Sequence, residues 1–100
     1  MAATLTKPFD ADDVVLSTSA TLIFTSTTRA TVDHPETIIV QSVTASAVVT
    51  VGPSNVADGS NGTVLPNQYD TITIEFNSPG TEVYAIAAAA TPTVTVSRTS

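Results

Sequence analysis

Few side chains in this sequence can do chemistry, and their spacing limits what that chemistry would be. His34 is the only histidine, set in Asp33-His34-Pro35-Glu36. An imidazole can serve as a general base near neutral pH, but it needs a nucleophile in hydrogen-bond reach and a group that orients the ring. No spacing in the chain suggests either, and the proline and charges around His34 read as an exposed loop. Asp10, Asp12 and Asp13 form an acidic cluster. Calcium wants six or more oxygens from a defined loop, and the glycine and closing glutamate of an EF-hand loop are missing, so the cluster reads as a solvated turn. Asn61-Gly62-Thr63 has the form of an N-glycosylation acceptor. The first 13 residues carry no apolar signal region, and the tripeptide reads as a turn. The chain contains no cysteine. It therefore has no thiolate nucleophile, disulfide or cysteine-based metal site. Neither a nucleophile-elbow Gly-x-Ser-x-Gly nor a phosphate-binding Gly-x-x-x-x-Gly-Lys occurs. The expectation is a protein that is not an enzyme, with no catalytic, cofactor or metal residues.

Composition narrows the partners. Three Lys+Arg stand against nine Asp+Glu, giving a net charge of −6 and a sequence pI of about 4.1. Nucleic-acid affinity comes largely from cations that neutralise phosphates, and docking on anionic lipid uses the same charges, so neither partner is expected. No run is long and apolar enough to cross a membrane. Only 12% of residues are charged while 42% are hydrophobic. Thr, Ser, Val and Ala make up the difference, and β-branched residues favour pleated strands over helices.

The segments that must carry these residues read as strands. Thr71 to Phe76 alternates most cleanly, with Ile72, Ile74 and Phe76 inward. Thr37 to Val43 is apolar on both faces, as in a strand buried between layers. Ala20 to Thr25 places Leu22 and Phe24 on one face and Ile23 on the other. Ala47 to Val51, Glu82 to Ala88 and Thr93 to Arg98 complete the clear set, with Val94 and Val96 inward. Val14 to Leu16 is a short apolar run, and Arg29 to Val32 a brief edge segment. Between Gly52 and Asn67 lie Asp58-Gly59, Asn61-Gly62 and Pro66, each a turn signal, with Val64-Leu65 pinning the loop to the core. The fold expected is all-β, a small antiparallel sandwich or barrel of jelly-roll or Greek-key type with about seven or eight short strands. Residues 1–13 read as an N-terminal arm and residues 14–100 as a single domain. In the arm, Leu5 and Phe9, with Pro8 holding an extended stretch, are the candidate anchors, on the same domain or on a neighbour. The small side chains of Ala87 to Ala90 would admit another backbone closely, across the sandwich or across a subunit boundary.

The second half of the chain resembles a module that recurs in small virion proteins of tailed bacteriophages. The residues that carry the resemblance are Val49-Thr50-Val51-Gly52-Pro53-Ser54-Asn55-Val56, Gly62 to Leu65-Pro66, and the Ile72/Ile74 strand. Pro79-Gly80, Val83-Tyr84-Ala85-Ile86-Ala87-Ala88 and Val94/Val96 follow. The resemblance implies a capsid decoration (cement) protein, made in the host cytoplasm and sitting on the outer capsid surface. Its partners would be the major capsid protein and its own copies, commonly in a homotrimer. On this reading Leu5, Pro8, Phe9, Ala88 and Ala89 are the candidate partner contacts, and deleting residues 1–13 would abolish attachment while leaving the sandwich folded. The alternative is a head- or tail-fibre module that binds host-surface glycan, for which Tyr69 and Tyr84 are the available aromatics.

Overall fold

Alternating apolar and polar residues need a layered structure in which every strand turns one face inward, and the chain forms one from eight strands. The computed structural model describes residues 2–5 and 9–99. The strands are β1 (Ala11–Val15), β2 (Thr21–Thr25), β3 (Glu36–Ser42), β4 (Val49–Gly52), β5 (Thr63–Leu65), β6 (Thr71–Phe76), β7 (Glu82–Ala87) and β8 (Thr93–Arg98). They form two four-stranded antiparallel sheets, in the orders β1-β8-β3-β6 and β2-β7-β4-β5. The pairs β4–β5, β3–β6, β2–β7 and β1–β8 are those of one long hairpin whose two arms zip together from its tip. Rolling that hairpin places alternate pairs in opposite sheets, and β3–β8 and β4–β7 seal each sheet laterally. This is the jelly-roll arrangement of an antiparallel sandwich.

One core lies between the sheets. Ile38, Val40, Val49, Ala85, Val94 and Val96 are all fully buried in it. Phe24 and Phe76 meet there with ring centroids 5.6 Å apart, tilted by 38°. The pleat accounts for most of this: β8 buries every second residue, and so does β3.

Several local readings change. In β2 the register shifts between Leu22 and Phe24, a bulge that turns the consecutive side chains of Ile23 and Phe24 into the interior together. Leu22 is left half-buried, so simple alternation fails there. Arg29 to Val32 forms no strand; Ala30 N–H donates to Thr27 O and Thr31 N–H to His34 O in a pair of turns. The long loop after β4 is pinned to the core by Leu65, as expected, while Val64 is exposed and Val56 adds a second buried anchor. Val56 and Ile86 are buried apart from the main core, where the loop crosses β4 and Thr50 Oγ1 accepts from Gly59 N–H. The crossing is close. A Cβ on Gly52 would stand 2.5 Å from Asn61 O, and one on Gly62 would collide with Val51 O. In the Asn61-Gly62 turn it is Asn61 that takes positive φ, and Gly62 is required for proximity.

The acidic segment is not a turn. Ala11 to Val15 pairs with β8 over five residues, so the expected arm boundary at residue 13 falls inside a strand. Ala3, Leu5 and Phe9, which precede it, are tied to the domain as well. Ala3 N–H donates to Ile23 O, Phe9 N–H to Arg98 O, and Ala3 and Leu5 lie in the core.

Candidate functional site

Antiparallel pairing sorts the connections to the two ends of the sandwich. The start of β1, the end of β2, the start of β3 and the ends of β6 and β8 share one end. The β1–β2, β3–β4, β5–β6 and β7–β8 connections share the other. Leu5 and Phe9 therefore belong with the first end, and Ala88 and Ala89 with the second. The structure does not bring the expected contact residues into one site.

At the first end, Leu5 is 2% exposed and packs in its own chain's core. Pro8 lies outside the described residues. Phe9 is 88% exposed, and its φ of 65° puts an aromatic residue in the left-handed region, which L-residues avoid. Such strain persists only where surrounding structure enforces it. Here the flanking bonds do so: Phe9 N–H to Arg98 O at 2.6 Å, and Arg98 N–H to Asp10 O at 2.7 Å. Val32, in the β2–β3 connection, is 79% exposed at the same end.

Beneath this surface sits a polar cluster that the sequence reading passed over. Glu36 opens β3 and, like Arg98 at the end of β8, turns into the interior. Their side chains are 0% and 4% exposed and form an ion pair, Arg98 Nη2 to Glu36 Oε2, at 3.2 Å. Thr27 completes the shell of the carboxylate, donating from its N–H to Oε1 and from its Oγ1 to Oε2, both at 2.8 Å. Period-two alternation was the available signal. Arg98 shares a face with Val94 and Val96, and Glu36 shares one with Ile38 and Val40; placing Glu36 in the preceding loop hid the pair. The cluster locks the β2–β3 connection to both sheet strands. Next to it, Ser26 fastens the β6–β7 turn, donating from Oγ to Ser78 O and accepting from Thr81 N–H.

At the second end, Ala88 and Ala89 are exposed in the β7–β8 connection, where Ala90 also has positive φ, at 61°. Only Ala87 of the alanine run packs in the core. Ala88 meets the chain through its N–H, donated to Val48 O at 3.1 Å. Ala88→Leu is accordingly expected to change the stability of the isolated chain by less than about 0.5 kcal/mol, as judged by thermal melting. Any larger effect in an assembly would report a contact with a neighbour.

The remaining chemical candidates are dispersed. His34 is exposed, and its N–H donates to Thr31 Oγ1 at 3.0 Å. Asp12 and Asp13 are consecutive in β1 and so face opposite ways, with Asp13 Oδ1 accepting from Thr95 Oγ1 at 2.7 Å. Among the described residues, no three His, Asp or Glu side chains gather in a group able to hold a metal ion. No helix there is long and apolar enough to cross a membrane. Tyr69 is 63% exposed at the second end.

Tyr84 is half-buried, and its hydroxyl donates to Glu82 Oε1 at 3.3 Å. Loss of hydration, then the charge of Glu82 and its hydrogen bond, hold the phenol above its ordinary value of 10.0. The folded state thus keeps this proton more tightly than the unfolded chain. The resulting stabilisation is complete below the unfolded value and is lost as pH rises through the folded one. Glu82→Gln should lower the ionisation midpoint of Tyr84 in an ultraviolet absorbance titration, leaving the part due to lost hydration.

Set against family models, curated proteins and solved structures, the chain matches none.

Proposed function

We propose that the chain is a structural virion protein of a tailed bacteriophage that decorates the outer capsid surface. Its first end, carrying Phe9 and Val32, docks on the major capsid protein. The observation that carries the reading is Phe9, a large apolar side chain 88% exposed on a backbone held in the left-handed region. Interfaces are anchored by a few buried aromatics, and leaving one in water costs a soluble protein free energy that a partner surface recovers. The Glu36–Arg98–Thr27 cluster below keeps that end rigid, so little ordering entropy is lost on docking. The resemblance of the second half of the chain to phage virion modules points the same way. Many copies bound side by side would brace a shell by avidity even if each contact is weak.

The test is co-sedimentation of the purified chain with tailed-phage shells stripped of their decoration layer. Wild type is expected to saturate the shells, and Phe9→Ser to bind at least about tenfold more weakly at an unchanged melting temperature. Wild type left in the supernatant would sink the proposal.

One observation favours the alternative, a fibre module that binds glycan. Tyr69 stands exposed between Gln68 and Asp70, a pairing of an aromatic face with polar neighbours that suits a sugar ring. Glycan-array binding lost in Tyr69→Ala would promote it over shell decoration.

A further inference from the structure

Each four-stranded sheet has two open edges, and three of the four are blunted. β1 carries Asp12 and Asp13. β2 is bulged, and its Ile23 O is already taken by Ala3 N–H. β5 is only three residues long. Bulges, charges and short length are the devices by which sandwiches keep their edges from pairing with other chains. β6 is different. It runs six residues in unbroken register with β3, from Glu36↔Phe76 to Gln41↔Thr71, with no lysine, proline or bulge and Glu75 as its single charge.

Which of its backbone groups are free follows from the neighbouring bonds. Val43 N–H donates to Thr93 O and Thr99 N–H to Thr37 O, so the odd residues of β3 bond towards β8. Ser42 N–H donates to Asp70 O, so its even residues bond towards β6. The pairs Val40↔Ile72, Ile38↔Ile74 and Glu36↔Phe76 thus occupy one side of β6. The N–H and C=O groups of Thr71, Thr73 and Glu75 point off the sheet, and among the described residues no loop bond takes them up. On the inner face, Ile72 and Ile74 are only half-buried. With Val51, Phe76 and Val83 they line an open groove of about 380 Å³ where the sandwich gapes beside β6.

We infer that β6 is a self-association edge, which pairs antiparallel with β6 of a second copy about a two-fold axis through Thr73 to join two sheets into one. The sequence suits this occupant. With the axis at Thr73, Thr71 lies opposite Glu75 of the second copy, so the two glutamates never face each other and each accepts a threonine neighbour. Thr73 lies opposite itself. These are the residues whose backbone groups are free, and each such pair exchanges both bonds. On the inner face Ile72 meets Ile74 of the second copy, which extends an apolar surface over both grooves. A two-fold contact of this kind closes with two copies. One strand per side covers less than the roughly 1,600 Å² of a standard interface, so the association is expected in the micromolar range or weaker. The inference concerns the free chain in solution and stands apart from shell decoration.

Sedimentation equilibrium over rising concentration, to the order of 1 mM, reads it directly. The full chain should pass from monomer to dimer. Thr73→Pro removes an N–H that only the second copy would use, and Thr73→Lys sets like charges face to face across the axis. Each should weaken the dimer at least about tenfold at unchanged monomer folding by circular dichroism. Should the proline variant fail to fold, the lysine variant carries the test. Hydrogen exchange gives a second reading, in which the Thr71, Thr73 and Glu75 amides are fast in the monomer and slow in the dimer, while Ile72 and Ile74 are slow in both. A chain that stays monomeric throughout, forms trimers, or dimerises equally well as both variants overturns the inference.

Discussion

Glu36→Gln is expected to lower the unfolding free energy by about 3–5 kcal/mol, the usual effect of removing one member of a buried ion pair. The loss comes from what remains. Arg98, its side chain 4% exposed, keeps a positive charge in a site where Glu36 Oε2 was its charge partner at 3.2 Å. The intact pair need not stabilise the fold much, since taking two charges out of water costs nearly as much as their attraction returns. That asymmetry gives the sharper experiment. Glu36→Met combined with Arg98→Leu should recover most of the stability that the single variant loses, because no charge is left in the interior. Urea unfolding would measure both. For a domain of this size the single variant should melt lower by about 15 °C or more. A Gln variant within about 2 °C of wild type would mean that water or another group solvates Arg98 after all.

Deleting residues 1–13 is expected to unfold the domain rather than to release a dispensable arm. The deletion removes Ala11, Asp12 and Asp13 from β1, which uncovers β8 along most of its length. It also takes Ala3 and Leu5 out of the core. Leu5→Ala alone should cost about 2–5 kcal/mol, the range for a buried leucine whose cavity cannot fully close. Against a typical total of about 5–15 kcal/mol, losing the leucine, half a strand and their hydrogen bonds leaves little margin. The readout is far-ultraviolet circular dichroism and melting of the truncated chain beside Leu5→Ala. A cooperative transition near that of wild type would show that the segment is an accessory. For shell attachment, a truncated chain that does not fold is silent, and Phe9→Ser is the informative variant.

These outcomes also mark how far the chain could be read from its residues. The all-β class was legible because Thr71–Phe76 and Thr93–Arg98 alternate with period two and turn signals punctuate the rest. Boundaries were harder. Glu36 follows a proline and sits among charges, so local chemistry says loop, while the β3–β6 register says strand. Asp12 and Asp13 read as a turn for the same reason. Their strand exists because β8 offers them a partner more than eighty residues away in sequence. Sequence-local preference is weak for strands, whose hydrogen bonds all go to distant residues. The β2 bulge was equally hidden, for nothing in Leu22-Ile23-Phe24 announces that two neighbours will share a face.

What the residues determine alone is a charge-poor, acidic, cysteine-free antiparallel domain whose valines and isoleucines mark the inner faces of its strands. The order β1-β8-β3-β6 against β2-β7-β4-β5 was decided by tertiary structure, since alternation says which face is buried but never which strand lies alongside. That order decides everything about surfaces. It sinks Leu5 into the core and leaves Phe9 outside, and it separates Phe9 from Ala88 and Ala89 by the length of the sandwich. It brings Glu36 to Arg98, and it puts β6 at an edge with three backbone positions that no described residue takes up. Exposure is a property of the assembled sheets, because a side chain is buried only when another layer covers it.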